Sequence, residues 1–315
     1  MSPASARDDA PPDRPRSGAA VAAVLVATLA WSTAPILVRS SELTGLRFAM
    51  YRLWAGVAIY AVVLVAVRRR PSWAAFRRSF PGGLIFGVDI SLAFAAFKLT
   101  SVADATIIGA LSPVAIALVS ARLLGERVGP RERLLAAASF GGVALVAVGS
   151  SGSPSWSLVG DLAAVGSIGS WTAYWFYSRR ARATVPAIEY MASVMVTAAL
   201  VVTPVALAFG GGPLAPTASG WIDVVLVAAV PGFVGHTLVA WSHSHVESWR
   251  AALITQCHPI FATLLAWPFL GERVTPLVAL GVVVVLAATG LVIVLADRDR
   301  RHVAAALDEA AEPAA

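Results

Sequence analysis

Leu124-Gly-Glu-Arg-Val128 recurs unchanged as Leu270-Gly-Glu-Arg-Val274, 146 residues further along the chain. Eleven residues before each block stands a proline, Pro113 and Pro259. The duplication reappears upstream, where Trp31 stands eight residues before Arg39 and Trp171 stands eight before Arg179. Self-similarity at such a long period marks one structural unit copied within the chain. What is copied is decided by the apolar runs around these blocks.

Aliphatic and aromatic residues make up 58% of the 315 positions and charged residues only 13%, against about 25% charged in an ordinary soluble domain. Gly18–Val38 and Pro276–Ala296 are charge-free runs of 21 residues. A helix rising about 1.5 Å per residue needs roughly 20 to cross the hydrocarbon core. Apolar runs and their polar interruptions predict spans near 18–38, 48–67, 82–98, 102–121, 132–149, 158–177, 186–209, 221–243, 248–268 and 276–296. The expected fold is therefore an all-α membrane protein of about ten transmembrane helices. Each copy holds an odd number of crossings, so the second enters the bilayer the other way, and the halves are two inverted five-helix repeats.

With the amino terminus placed in the cytoplasm, nineteen Lys and Arg fall on the cytoplasmic side and four on the other. The positive-inside rule then puts both termini in the cytoplasm of an inner or plasma membrane. The expected organisation is a disordered tail over 1–17, a first repeat over 18–149, an external loop over 150–157, a second repeat over 158–296 and a cytoplasmic tail over 297–315. A signal peptide is the rival reading of the start, but the apolar stretch outruns the usual 7–15-residue core. The net charge of +6 follows from this topology rather than from nucleic-acid binding, since no basic-aromatic face forms. Cys257, the only cysteine, has no intramolecular partner for a disulfide.

Ala30-Trp-Ser-Thr-Ala-Pro35, Phe97-Lys-Leu-Thr-Ser101 leading to Ser112-Pro113, the twin Leu-Gly-Glu-Arg blocks and Gly160-Asp161 stand together in this chain. With that set it resembles the EamA-type transporters of the drug/metabolite transporter superfamily over roughly residues 18–296. The resemblance implies a transporter that exports amino acids, metabolites or toxic compounds. His258 departs from the small residue often found before the second proline.

Polar side chains inside spans cost a few kcal/mol each, so each calls for a reason. Asp104, Asp161 and Asp223 sit near expected helix starts, where a carboxylate meets the positive end of the helix dipole. Arg39, Arg179 and Lys98 lie near span ends and can snorkel. Glu126 and Glu272 each stand beside an Arg at a helix end. Asp89 falls mid-span and reads either as a cavity or proton-path acid or as a buried, hydrogen-bonded acid with no transport role, with Arg52 either its partner or a snorkelling side chain. His236, His243 and Glu247 share a face if one helix carries them, and His258 lies beside Pro259 at mid-helix. His243, His245 and Glu247 are also compatible with a solvated helix end. Pro113 and Pro259 break helices at matching places, and twin breaks point to a midplane site. Trp31 with Thr33, and Trp171 with Tyr174, offer aromatic and hydroxyl surface, and Gln256 sits next to the second break.

The expected function is secondary active transport of a small molecule (metabolite, amino acid or drug), an exporter working by alternating access. The expected substrate site is Trp31, Thr33, Asp89, Pro113, Trp171, Tyr174, His236, Gln256, His258 and Pro259, with Asp89 and His258 carrying the coupling proton. No cofactor, metal or nucleic acid is expected; the bilayer is a partner, and a homodimer is compatible with the reading. No G-x-x-x-x-G-K-[ST] loop is present, so the energy comes from a gradient. Two alternatives are an intramembrane metal enzyme built on His236, His243, Glu247 and His258, which lacks an H-E-x-x-H motif, and a non-transporting scaffold or sensor.

Overall fold

The computed structural model describes residues 17–100, 108–109, 111–112, 115–116, 119, 129–150, 157–258, 260–262, 264–265 and 275–311. Every regular element among them is helical. In chain order these are α1 (Ser17–Trp31), α2 (Ala34–Ser40), α3 (Gly45–Ala66), α4 (Trp73–Leu99), α5 (Pro130–Ser150), α6 (Leu158–Arg182), α7 (Ala187–Phe209) and α8 (Ala218–Val227). A π-helical segment, Ala228–Gly235, then runs into α9 (His236–Ser242), followed by α10 (Ser248–Ile254), a 3-10 turn at Thr255–Cys257 and α11 (Pro276–Ala311). The twin Leu-Gly-Glu-Arg blocks, Pro113, Pro259, Asp104, Glu126 and Glu272 lie outside the described residues.

Local chemistry sets the helix starts. Thr44, Ser72, Ser157 and Thr217 are N-caps whose hydroxyls accept from Arg47, Ala75, Gly160 and Gly220 N–H groups at 3.1–3.4 Å. The Ser72 cap starts α4 nine residues before the expected position 82, and Pro81 sits inside that helix. Thr217 likewise starts α8 ahead of Asp223, so Asp223 is not a first-turn residue, whereas Asp161 is one in α6. Lys98 does not merely snorkel: its ammonium donates to the Ser41 carbonyl at 2.7 Å and to the Arg39 carbonyl at 3.4 Å, at the carboxyl end of α2.

Among the described residues, five helices are long and apolar enough to cross a membrane by length and composition: Gly18–Ser40, Gly45–Ala66, Trp73–Leu99, Ala187–Phe209 and Ala218–Ser242. Val62, Val65, Leu207, Phe209 and Val283 face outward. Such exposed aliphatics suit a lipid solvent, which hydrates nothing and leaves association to close packing. Close packing is visible between α4 and α7, where a Cβ on Gly87 would stand 3.3 Å from the Ala198 Cα. Phe48, Leu53, Phe86, Tyr190, Met191 and Met195 fill the core around that crossing.

The helix pairings come in couples. Helix α4 packs on α6 and α7, while the α8–π–α9 rod packs on α1 and α3. Helix α3 packs on α7, and α5 on α11. Exchanging the two halves of the chain turns the first set into the second and carries the last two pairings onto themselves.

Candidate functional site

Three departures from α geometry gather at one level of the bundle: the Ser32–Thr33 turn between α1 and α2, the π-helical Ala228–Gly235 and the 3-10 turn at Thr255–Cys257. Each releases or lengthens backbone hydrogen bonds. They are tied together, since the Ser32 hydroxyl donates to the His258 carbonyl at 3.0 Å. Pro35 and Pro231 lie next to or within two of these breaks.

Between them is a cavity of ≈ 260 Å³. Helix α4 presents Asp89, Ala93 and Phe97 to it, and α6 presents Ala164, Ser167, Ile168 and Trp171. The first set is spaced i, i+4, i+8 and the second i, i+3, i+4, i+7, each along one helix face. Arg52 of α3, Trp31 of α1, His236 of α9, and Thr255, Gln256 and His258 complete the polar and aromatic lining.

The aromatic wall is built by the duplicated tryptophans themselves. Trp31 and Trp171 meet edge to face with ring centroids 5.4 Å apart. His236 packs on both, at 5.1 and 6.0 Å, and on Phe86 at 4.8 Å. Gly235 permits this approach, because a Cβ there would stand 2.5 Å from the Trp31 indole nitrogen. The polar wall holds Asp89, which is 4% exposed and accepts a hydrogen bond from the Ser167 hydroxyl at 2.7 Å. His258 lines the same cavity, and its carbonyl accepts from the Ser32 hydroxyl.

Six of the ten expected site residues therefore line one cavity: Trp31, Asp89, Trp171, His236, Gln256 and His258. Thr33 does not line it, because its hydroxyl donates to the Ala30 carbonyl at 2.8 Å and is spent inside the turn. Tyr174 stands behind the wall, packed on Trp171 and Phe86, with its hydroxyl donating to the Met191 Sδ at 3.3 Å. Pro113 and Pro259 lie outside the described residues, although Ser112 and His258 beside them face the cavity. Of the two readings of Arg52, snorkelling is excluded, because its side chain is 2% exposed and lines the cavity.

The face proposed for His236, His243 and Glu247 does not exist as one surface. Helix α9 ends at Ser242, and a turn redirects the chain. His243 is buried rather than solvated, with its Nδ1 3.0 Å from the Ser178 hydroxyl. His245 stacks on Trp241, and Glu247 pairs with Arg250 at 2.9 Å. Among the described residues no three His, Cys, Asp or Glu side chains converge as a metal site would need. Arg179, expected to snorkel, donates to the Val246 carbonyl and the Ser248 hydroxyl across that turn.

Ser167, Thr255 and Phe97 were missed as lining residues. The signal for Ser167 and Phe97 was available: each sits one or two helical turns from an expected site residue, Ser167 from Trp171 and Phe97 from Asp89.

Comparison with known proteins agrees with this architecture. A family model described as the EamA-like transporter family matches residues 18–148 and 158–294. A probable terminal-alkyne amino-acid exporter of Streptantibioticus cattleyicolor is 38% identical over 79 residues. That stretch is 24% of this chain and 27% of the relative, so the chain spans only about a quarter of the curated relative it matches. A solved crystal structure superposes with a TM-score of 0.75 at 22% identity, over 90% of this chain and 99% of the other, which is a likeness of fold.

Proposed function

The chain belongs to the EamA-like transporter family, and on that premise we propose that this multi-pass membrane transporter is a secondary active exporter of small metabolites working by alternating access. The observation that carries the reading is the ≈ 260 Å³ cavity flanked by three breaks in helical geometry. Breaks at that level let helix halves swing against each other without losing whole turns of hydrogen bonds. The volume is below the ≈ 300–1,000 Å³ of pockets that hold drug-sized ligands, which favours a cargo of metabolite size. The name of the curated relative adds amino acids to the candidate cargo.

In this reading the repeats are 18–149 and 158–296, each of five spans, joined by an external loop over 150–157. The tails over 1–17 and 297–315 face the cytoplasm of the inner membrane. Asp89 and His258, which both line the cavity, exchange the coupling proton while the two repeats rock about the site. A carboxylate at this depth holds a cationic group when charged and releases it when protonated.

Proteoliposomes preloaded with radiolabelled L-amino acids should lose label faster than protein-free vesicles, with a rate that depends on an imposed pH gradient between roughly pH 5 and 8, where a histidine-linked switch acts. Flux equal to protein-free vesicles for every amino acid overturns the reading. Ser153→Cys and Gly212→Cys should react with an impermeant thiol reagent from outside only; reaction from the cytoplasmic side alone reverses the orientation.

A further inference from the structure

Arg52 presents an unsolved electrostatic problem. It is 2% exposed. Its Nε and Nη1 are buried with no hydrogen-bond partner, and no ion pair joins it to another described residue. The guanidinium lies over the Phe86 ring at 5.6 Å, which offsets only part of its desolvation. Gly232 leaves its flank clear, since a Cβ there would stand 3.4 Å from Nη2. A buried cation whose donors touch no anion or acceptor costs several kcal/mol, and an anion entering the cavity would satisfy them.

Among the described residues lining the cavity, Arg52 is the one formal cation and Asp89 the one formal anion. They attract each other across the cavity but share no ion pair or hydrogen bond, and the Asp89 Oδ1 accepts from Ser167 instead. We propose that Arg52 is the carboxylate subsite of the transport cavity, so that the cargo is a small zwitterion of amino-acid type. The proposal rests on the transporter reading given above. The fork of N–H donors on a guanidinium matches a carboxylate in two parallel hydrogen bonds, which an ammonium or an amide cannot reproduce. The cargo's ammonium lies toward Asp89, and its side chain lies against the Trp31–Trp171 wall. This arrangement makes Arg52 a specificity-determining residue. A simple amine or a lipophilic cation of the same shape meets a buried like charge and leaves the guanidinium unpaired, so the cavity rejects it.

The test is ligand-induced thermal stabilisation of the purified full chain, because only a ligand that binds the folded state raises the melting temperature. The probes are L-phenylalanine, L-leucine, 2-phenylethylamine, isoamylamine, 3-phenylpropanoate and phenyl phosphate. Wild-type protein should be stabilised by at least one of the two amino acids, with its descarboxy amine acting only at about tenfold or higher concentration, the ratio that 1.4 kcal/mol of differential binding gives. Arg52→Gln should lose the response to the amino acid and keep or gain one to the amine, and Arg52→Lys should retain part of it. Amines that stabilise wild type as well as the amino acids overturn the proposal, and so does an Arg52→Gln protein with an unchanged amino-acid response. Phenyl phosphate acting at lower concentration than 3-phenylpropanoate overturns the carboxylate assignment. The wild-type comparison stands even if Arg52→Gln does not fold. A wild type that no probe stabilises also overturns the subsite. Vesicle flux separates this from the parent reading: amines and amino acids carried equally well remove the subsite and leave a transporter, whereas carboxylate-dependent stabilisation without flux removes the transporter and leaves the subsite.

Discussion

From its first half the chain gives the cavity Arg52 and Asp89; from its second half it gives Trp171, His236, Gln256 and His258. The offsets of 140 and 146 residues that relate the repeats carry Arg52 to positions 192–198 and Asp89 to 229–235, stretches with no charged residue. In reverse they carry His236 to 90–96 and His258 to 112–118, where there is no histidine. The tryptophans, by contrast, survive in both halves and touch each other. Duplication has thus preserved the packing of the fold while the two walls have taken different chemistry, a guanidinium and a carboxyl on one side and imidazole on the other. A two-fold scaffold with unlike walls can bind a cargo that has two unlike ends.

The largest effect should come from removing the charge of the first wall. Asp89→Asn keeps size and the hydrogen bond from Ser167, so the protein should insert and purify normally. Transport in proteoliposomes should nevertheless fall by about tenfold or more, the factor that 1.4 kcal/mol of lost differential binding produces, and its pH dependence should flatten. Wild-type flux at every pH would make Asp89 a structural acid and would erase the contrast between the walls. A smaller effect belongs to the second wall. In His258→Gln a polar side chain of similar size still lines the cavity, so binding should survive while the pH optimum of transport moves by about one unit. An unchanged optimum would take the coupling role away from His258.

The helices were legible because hydropathy reports the solvent that surrounds a segment, and the five described helices long and apolar enough to cross a membrane each overlap an expected span. Their beginnings were less legible. Hydropathy is blind to the Ser72 hydroxyl that caps α4, and Trp73–Phe80 carries Arg77 and Arg78 although it is helical. The π-helical segment around Pro231 left no trace in periodicity, since it adds one residue to a turn without changing the composition. Asp89, His236 and His258, singled out because burial is costly for them, line the cavity. Thr33 and Tyr174 do not, because a hydroxyl can satisfy itself on a nearby carbonyl or sulfur, and no pattern in the sequence reveals that choice.

The smallest effect tests whether the walls are linked at their rim. Glu42 follows α2 and reaches across to the first turn of α8, where its carboxylate accepts from the Thr217 N–H at 2.7 Å and the Thr217 hydroxyl at 3.0 Å. It thereby joins the segment that leads from Trp31 to the segment that leads to His236. The Thr217 backbone N–H, followed by Glu42's own backbone and the Thr217 hydroxyl, holds the Glu42 carboxyl below the usual carboxylate range despite the opposing cost of desolvation, with Lys98 adding a little. Because the folded value is depressed, the contribution of the contact is complete above the ordinary carboxylate pKa and disappears as the pH falls through the lowered one. Glu42 is fully exposed, and solvent screening keeps such contacts weak, so Glu42→Gln should change the transport rate by less than about fivefold. The difference in melting temperature between wild type and Glu42→Gln should be present at neutral pH and vanish in acid. A difference that stays constant from neutral to strongly acidic pH would mean that the charge of Glu42 plays no part, and the link between the walls would then lie deeper in the bundle, in contacts such as Trp31–Trp171, Ser167–Asp89 and Ser32–His258.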